Sequence, residues 1–378
     1  MKTALVLSGG GARAAYQVGV LKAVAELIPD TGHNPFQIIC GTSSGAINAA
    51  KLASEADHFH GSVANLTTLW SNLQSHKIHH VGVSSILKNI FKLFASFFHS
   101  GLSEGRPLSL LDNEPLRQLL IKHVDMARID EMIQREQLHA LCISALGYTS
   151  GHNISFLDGH PSVEGWQSAR RCGIKTKLTH DHILASAALP AIFPSVKINR
   201  EYFGDGALRQ TAPLSSALNL GAKKLFIIGV SGNAKDSYQR APVSHSPSVA
   251  QVMSQLLNSA FIDSLEEDVD MVRRINTFSE ALSKEKRQQL NVNTVDILVI
   301  EPSIKFDELA GYYLHNLPAS MRWMLKIIGA NPKGGGSSLA SYILFERGYC
   351  SMLIHSGYQD AMAQGERIRE FIGSCQLS

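Results

Sequence analysis

The chain has 378 residues, of which 44% are apolar and 18% charged, with a formal net charge of +3. That length can bury a large core, either as one elaborate α/β domain or as two smaller ones. The near-neutral balance, with no basic run able to track a phosphate backbone, excludes the usual nucleic-acid-binding classes. The charged fraction lies below the usual quarter, so part of the surface is expected to be apolar or neutral.

Five cysteines (Cys40, Cys142, Cys172, Cys350 and Cys375) are scattered without a C-x-x-C pair. This spacing points to a reducing compartment and away from a structural zinc site. The apolar run Ala4–Leu7 is too short for a secretory leader, and glycines follow it at once. No stretch reaches the roughly 18 apolar residues of a membrane span. The expectation is a cytoplasmic protein, with peripheral contact to the inner face of the membrane left open.

In chain order, Thr3–Leu7 (TALVL) reads as a buried parallel strand that stops at Ser8-Gly9-Gly10-Gly11. Apolar residues then recur at helical spacing from Ala12 to about Ile28, and Pro29 and Gly32 mark the helix end. Phe36–Cys40 (FQIIC) is a second buried strand, and Gly41–Gly45 turns into a helix beginning near Ala46. This strand, glycine turn, helix, strand, sharp turn, helix order opens a parallel sheet with its turns at the carboxyl edge. Further strands are expected at Ala140–Ala145, Ile154–Leu157, Val196–Ile198, Leu225–Val230 and Val295–Glu301. The last follows the long helical stretch Ser248–Leu282, so the chain is expected to return to the same sheet. The expected division is a catalytic core at 1–231 and a mainly helical region at 232–378 packed on that sheet as one domain.

Three short motifs carry chemistry. Gly41-Thr42-Ser43-Ser44-Gly45 is a G-x-S-x-G between an apolar strand and a helix of small residues, the setting that holds a serine hydroxyl above a sheet. Without that setting the pattern is weak, and the serines could simply cap the helix. Gly9-Gly10-Gly11-Ala12-Arg13 lies between a strand and a helix, where backbone N–H groups at the positive helix end suit a phosphate or an oxyanion. It also fits the dinucleotide fingerprint, but the second strand ends in Cys40-Gly41-Thr42-Ser43, without the carboxylate that reading needs. Asp205 stands in Gly204-Asp205-Gly206-Ala207, a pattern that by itself most often marks a turn.

As a set, these segments resemble the patatin-like phospholipase family. The resemblance runs over about residues 1–231, through SGGGARAAYQVGVL at the N-terminus, GTSSGAINA at the elbow, ILASAALPAIFP at Ile183–Pro194 and GDGALRQTAP at Gly204–Pro213. It implies a three-layer α/β/α sandwich with a mostly parallel central sheet, here followed by a helical C-terminal extension. It also implies a serine lipid acyl hydrolase of phospholipase A or lysophospholipase type. By motif, Ser43 would be the nucleophile and Asp205 its base. The oxyanion loop would comprise Gly9, Gly10, Gly11, Ala12 and Arg13, with the amides around Gly10 and Gly11 central and Arg13 matching the family's basic residue. Ala14 stands where many members have glycine. The implied substrate is a phospholipid or other acyl-ester lipid, with no metal and no organic cofactor.

A Ser–His–Asp triad is the nearest rival, because His315 and His355 follow Ser43 and Asp205 in the order of an α/β-hydrolase. Only one strand precedes the elbow strand, however, too few for that fold. Outside the motifs, Ser85–Ser100 gathers Ile86, Leu87, Ile90, Phe91, Phe94, Phe97 and Phe98 on one helical face, with Lys88 and Lys92 elsewhere. That pattern fits a lid or interfacial helix touching lipid as well as it fits an ordinary core-packed helix. Residues 232–378 show no chemistry of their own; covering an acyl pocket, a homo-oligomer contact and a regulator site are all open to them. An acyltransferase or acyl-thioesterase on the same site, and a non-catalytic lipid-binding regulator, are the alternative functions.

Overall fold

The alternating apolar side chains of the first strand divide between two cores. Leu5 and Leu7 join the larger apolar cluster, while Ala4 and Val6 join a second one on the opposite face of the sheet. A strand buried on both faces requires helices on both sides, and this is the arrangement in the computed structural model, which describes residues 2–78, 109–190, 192–230, 246, 248–290, 293–327 and 336–373.

The strands are β1 (Thr3–Leu7), β2 (Ile38–Thr42), β3 (Ala140–Gly147), β4 (Asn153–Gly159), β5 (Trp166–Ser168), β6 (Arg171–Lys175), β7 (Val196–Ile198), β8 (Glu201–Asp205), β9 (Lys224–Ile228) and β10 (Asp296–Ile300). They form one sheet in the order β10-β9-β1-β2-β3-β4-β6-β5, with β8 pairing β3 and β7. The run from β10 to β3 is parallel throughout, and β3–β4 is the first antiparallel pair. The expected strands lie close to where the residue pattern puts them, and the strand near 295–301 does return to this sheet beside β9. Three further strands, β5, β6 and β8, are short and partly exposed, so their residues carry no strong alternating signal.

Helix α1 (Ala15–Leu27), entered through a tight helical turn at Gly11–Ala14, packs on one face with α2 (Ser44–Ser54) and α3 (Phe59–Ser71). The long C-terminal helix Arg347–Met362 lies against α1 so closely that a Cβ at Gly19 would overlap the carbonyl of Ile354. On the other face, Leu214 and Ala217 pack with Leu265, Val269 and Val272 of the helix Ser264–Glu280. The result is a mostly parallel sheet with flanking helices, a patatin-like α/β fold with a helical C-terminal region.

Ser85–Ser100, and with it Ile86, Ile90, Phe91, Phe94, Phe97 and Phe98, lies outside the described residues. Among the described residues no helix is long and apolar enough to cross a membrane. No group of three His, Cys, Asp or Glu there could hold a metal ion.

Candidate active site

Strand register explains why Ser43 and Asp205 meet. Strand β2 pairs β3 up to Thr42 opposite Ser144, and there the chain leaves the sheet. Strand β8 takes up the pairing one residue later, with Asp205 opposite Ala145. The residue after Thr42 and the residue opposite Ala145 therefore emerge side by side at the carboxyl edge of β3. The Ser43 hydroxyl donates to Asp205 Oδ2 at 2.6 Å.

The turn at Ser43 is sharp. Its backbone has φ 55° and ψ −127°, a conformation that a side chain other than glycine's rarely adopts and that only surrounding structure can hold. Two glycines permit it. A Cβ at Gly45 would stand 2.6 Å from the Ser8 carbonyl oxygen and overlap that of Leu7, so α2 approaches β1 more closely than any other residue allows. A Cβ at Gly41 would stand 2.6 Å from the Gly45 carbonyl oxygen. The Ser43 N–H donates to the Ser186 hydroxyl at 2.8 Å, and that hydroxyl donates to the Ser144 carbonyl at 2.6 Å. Ser186 ends the helix His180–Ser186 inside the ILASAALP stretch; its anchoring part is invisible to motif reading because the partner is 143 positions away.

Asp205 is fully buried, and Oδ1 accepts the Ala207 N–H at 3.0 Å. Burial pushes its carboxyl up to about 7, against the lowering pull of the Ser43 hydroxyl and the Ala207 N–H. A carboxyl balanced near neutral pH can both accept and return a proton.

The glycine loop passes against Ser43. A Cβ at Gly9 would stand 2.9 Å from Ser43 Cβ and would overlap the Phe261 ring. Gly11 has φ 57°, and a Cβ there would overlap the Tyr342 carbonyl oxygen. Because Gly11 and Ala12 begin a helical turn, their N–H groups have no acceptor within it. The Arg13 N–H, by contrast, donates to the Gly10 carbonyl at 3.1 Å. The Arg13 side chain also turns away from Ser43. Its Nε donates to Ser341 Oγ at 2.8 Å, an Nη donates to Asp307 at 2.7 Å, and the guanidinium lies 4.0 Å over the Tyr342 ring. Arg13 thus pins the loop to the C-terminal helices. Gly9 stays against Ser43, and Gly11 lines the same pocket.

Ser43, Asp205 and Gly11 line a narrow, largely enclosed apolar pocket. Leu69, Trp70, Leu73 and Ile78 form one wall, Leu116 and Leu119 of the helix Glu114–His123 another, and Phe261, Tyr342 and Phe345 a third. The walls are overwhelmingly apolar, suited to a hydrocarbon chain. No histidine is among the described residues that line the pocket, and neither His315 nor His355 stands where a triad base would. The third wall shows what the sequence of 232–378 did not disclose: its helices complete the cavity.

The family model for patatin-like phospholipases matches residues 5–218. The chain belongs to the patatin-like phospholipase family. The chain is 27% identical over 210 residues, 55% of its length, to the cGAMP-activated phospholipase of Pseudomonas aeruginosa (strain BWHPSA011 / Pa011). It spans only 53% of that protein's length. Among solved structures, the crystal structure of VipD from Legionella pneumophila superposes over 97% of this chain and 67% of its own, at 13% identity and a TM-score of 0.41.

Proposed function

We propose that this patatin-like phospholipase is a serine lipid acyl hydrolase of phospholipase A or lysophospholipase type, with Ser43 as nucleophile and Asp205 as its base. The observation that carries the reading is the 2.6 Å bond from the Ser43 hydroxyl to a buried carboxylate, at the end of an apolar cavity. A serine hydroxyl needs a neighbouring base to become a nucleophile, and Asp205 is in direct reach without an intervening imidazole. As Oγ attacks the ester carbonyl, its proton passes to Asp205 Oδ2. The oxyanion that forms is stabilised by backbone N–H groups of the Gly9–Ala12 loop, each such donor contributing about 3 kcal/mol at the transition state. Collapse expels the alcohol, protonated by Asp205, and leaves an acyl-enzyme. Water, deprotonated by the same carboxylate, then releases the fatty acid.

The test is labelling by a fluorophosphonate probe together with hydrolysis of a short-chain nitrophenyl ester, in wild type, Ser43→Ala and Asp205→Asn. Labelling and turnover in wild type, lost in both variants, is the expected result. Labelling that survives Ser43→Ala overturns the choice of nucleophile, and turnover that survives Asp205→Asn overturns the choice of base. Because the Pseudomonas relative is named for activation by cGAMP, each assay is run with and without that nucleotide. Products formed in the presence of an alcohol or thiol acceptor separate hydrolysis from acyl transfer.

A further inference from the structure

Ser44, the residue after the elbow serine, presents a polar atom that the dyad chemistry does not use. It is 3% exposed, lines the same cavity as Ser43 and Asp205, and its Oγ has no hydrogen-bond partner among the described residues. A buried hydroxyl without a partner forfeits the hydrogen bonds that water gave it, so such atoms are rare and call for a reason. Among the described residues the other buried side-chain polar atoms in this condition belong to residues that do not line this cavity. Ser44 is the first residue of α2, after the N-cap Ser43, where a serine side chain could reach the free N–H groups of the first turn or bond to a nearby carbonyl. Here it does neither.

The surroundings narrow what could satisfy it. The side walls supply hydrocarbon and aromatic rings, and the acyl chain of a bound lipid supplies only more hydrocarbon. The scissile carbonyl oxygen is claimed by the glycine loop and the ester alkoxy oxygen by Asp205. What remains is an oxygen of the alcohol portion, close to the bond being cut. We infer that Ser44 donates a hydrogen bond to the oxygen on the neighbouring carbon of a glycerol backbone, and so selects glycerolipids over esters of simple alcohols. The inference rests on the Ser43 reading above. It places Ser44 as a specificity-determining residue whose contact is made in ground state and transition state alike, which acts on KM more than on kcat.

The experiment compares two monomeric substrates that release the same acid: dihexanoyl phosphatidylcholine, and the hexanoyl ester of 1,3-propanediol phosphocholine, in which the carbon next to the ester bears no oxygen. Wild type, Ser44→Ala and Ser44→Cys are measured on both, and the ratio of their kcat/KM values is the readout. The expected result is that wild type favours the glycerolipid. In both variants that ratio falls about five- to tenfold through KM, the factor one hydrogen bond commands. Cysteine fills nearly the same space with only a weak donor. A wild-type ratio in Ser44→Cys with a fall only in Ser44→Ala means Ser44 serves packing, and overturns the inference. An unchanged ratio in both variants overturns it as well. Wild type that neither labels with fluorophosphonate nor turns over either ester would instead sink the underlying nucleophile assignment, so the two failures are distinguishable.

Discussion

The Ser186 hydroxyl accepts the backbone N–H of Ser43 at 2.8 Å while donating to the carbonyl of Ser144, so one side chain ties the strained elbow to β3, the strand against which the Asp205 strand pairs. Ser144 precedes Ala145, the residue that pairs with Asp205, and this short path fixes Ser43 and Asp205 against each other. Ser186→Ala leaves a buried N–H and a buried carbonyl without that partner, at a cost of about 1–3 kcal/mol. The expected result is a lower melting temperature and a kcat reduced about ten- to hundredfold, since small misplacements of reacting groups are expensive. Ser186→Thr keeps the hydroxyl and is expected to recover part of the rate. Steady-state kinetics on a nitrophenyl ester check this, and full activity in Ser186→Ala would count against the anchor.

As the proposed base, Asp205 would set the pH dependence. Only its ionised form can take the Ser43 proton, and burial raises its carboxyl to about 7. The kcat/KM of the free enzyme is therefore expected to rise with pH as a single ionisation centred near 7, instead of near the ordinary carboxylate value of about 4. A profile already flat from pH 5 upward would mean that Asp205 stays ionised in the fold.

The same group makes a stability prediction of opposite sign. Between the unfolded carboxyl's value of about 4 and the folded value of about 7, the native state holds a proton that the unfolded state has lost. Stability therefore falls as pH rises through that window, by about 1.4 kcal/mol per pH unit from this group, and levels off above it. Asp205→Asn removes the burden of the buried charge. It is expected to melt above wild type at pH 8 and close to it at pH 4, as thermal unfolding at the two pH values would show. A mutant less stable than wild type at pH 8 would mean that the hydrogen bonds from Ser43 and Ala207 outweigh desolvation.

Much of this site could be read from the sequence because its parts are local. A strand ending in G-x-S-x-G or in a glycine run fixes a turn within a few residues, and the buried strands β1, β2, β3, β9 and β10 are marked by short apolar runs. Arrangements that join distant segments left no such mark. Ser186 sits in a helix of ordinary composition, and Phe261 and Tyr342 carry no pattern that assigns them to Ser43's cavity. Arg13 shows the limit most clearly. Motif position placed it with the oxyanion loop, while packing directs its side chain to residues about 300 positions away.

Gly45 tests how close α2 must lie to β1. Gly45→Ala places a methyl group against two backbone carbonyls, those of Leu7 and Ser8, which cannot yield as a flexible side chain would. The helix must move, and Ser43 with it. The expected outcome is destabilisation of about 1–3 kcal/mol, as for other overpacked sites, and loss of nearly all fluorophosphonate labelling in the protein that still folds. Gly221→Ala is the control for introducing a methyl group as such: its φ of 87° strains the backbone but nothing lies within 4 Å of the new carbon. Comparable labelling loss in both variants would show that the loss does not depend on the approach of α2 to β1.

Arg13 joins the glycine loop to the C-terminal helices by two kinds of contact whose weights can be separated. One is geometric: the guanidinium donates to Ser341 and Asp307 while its face covers Tyr342. The other is charge, the ion pair with Asp307. Arg13 is buried, but Asp307 is 38% exposed, so solvent screens the pair and its charge contributes about 1 kcal/mol or less. The fork and the stack should therefore dominate. Arg13→Ala is expected to cost about 2–4 kcal/mol, by removing the donors to Ser341 and Asp307 and leaving a void beside Tyr342. Arg13→Lys, which keeps the charge but lacks the planar fork, is expected to recover less than half of that. Asp307→Asn keeps a hydrogen-bond acceptor and should be nearly neutral. Chemical denaturation of the three variants orders them. If Asp307→Asn proved as damaging as Arg13→Ala, with Arg13→Lys close to wild type, charge rather than shape would hold the loop in place.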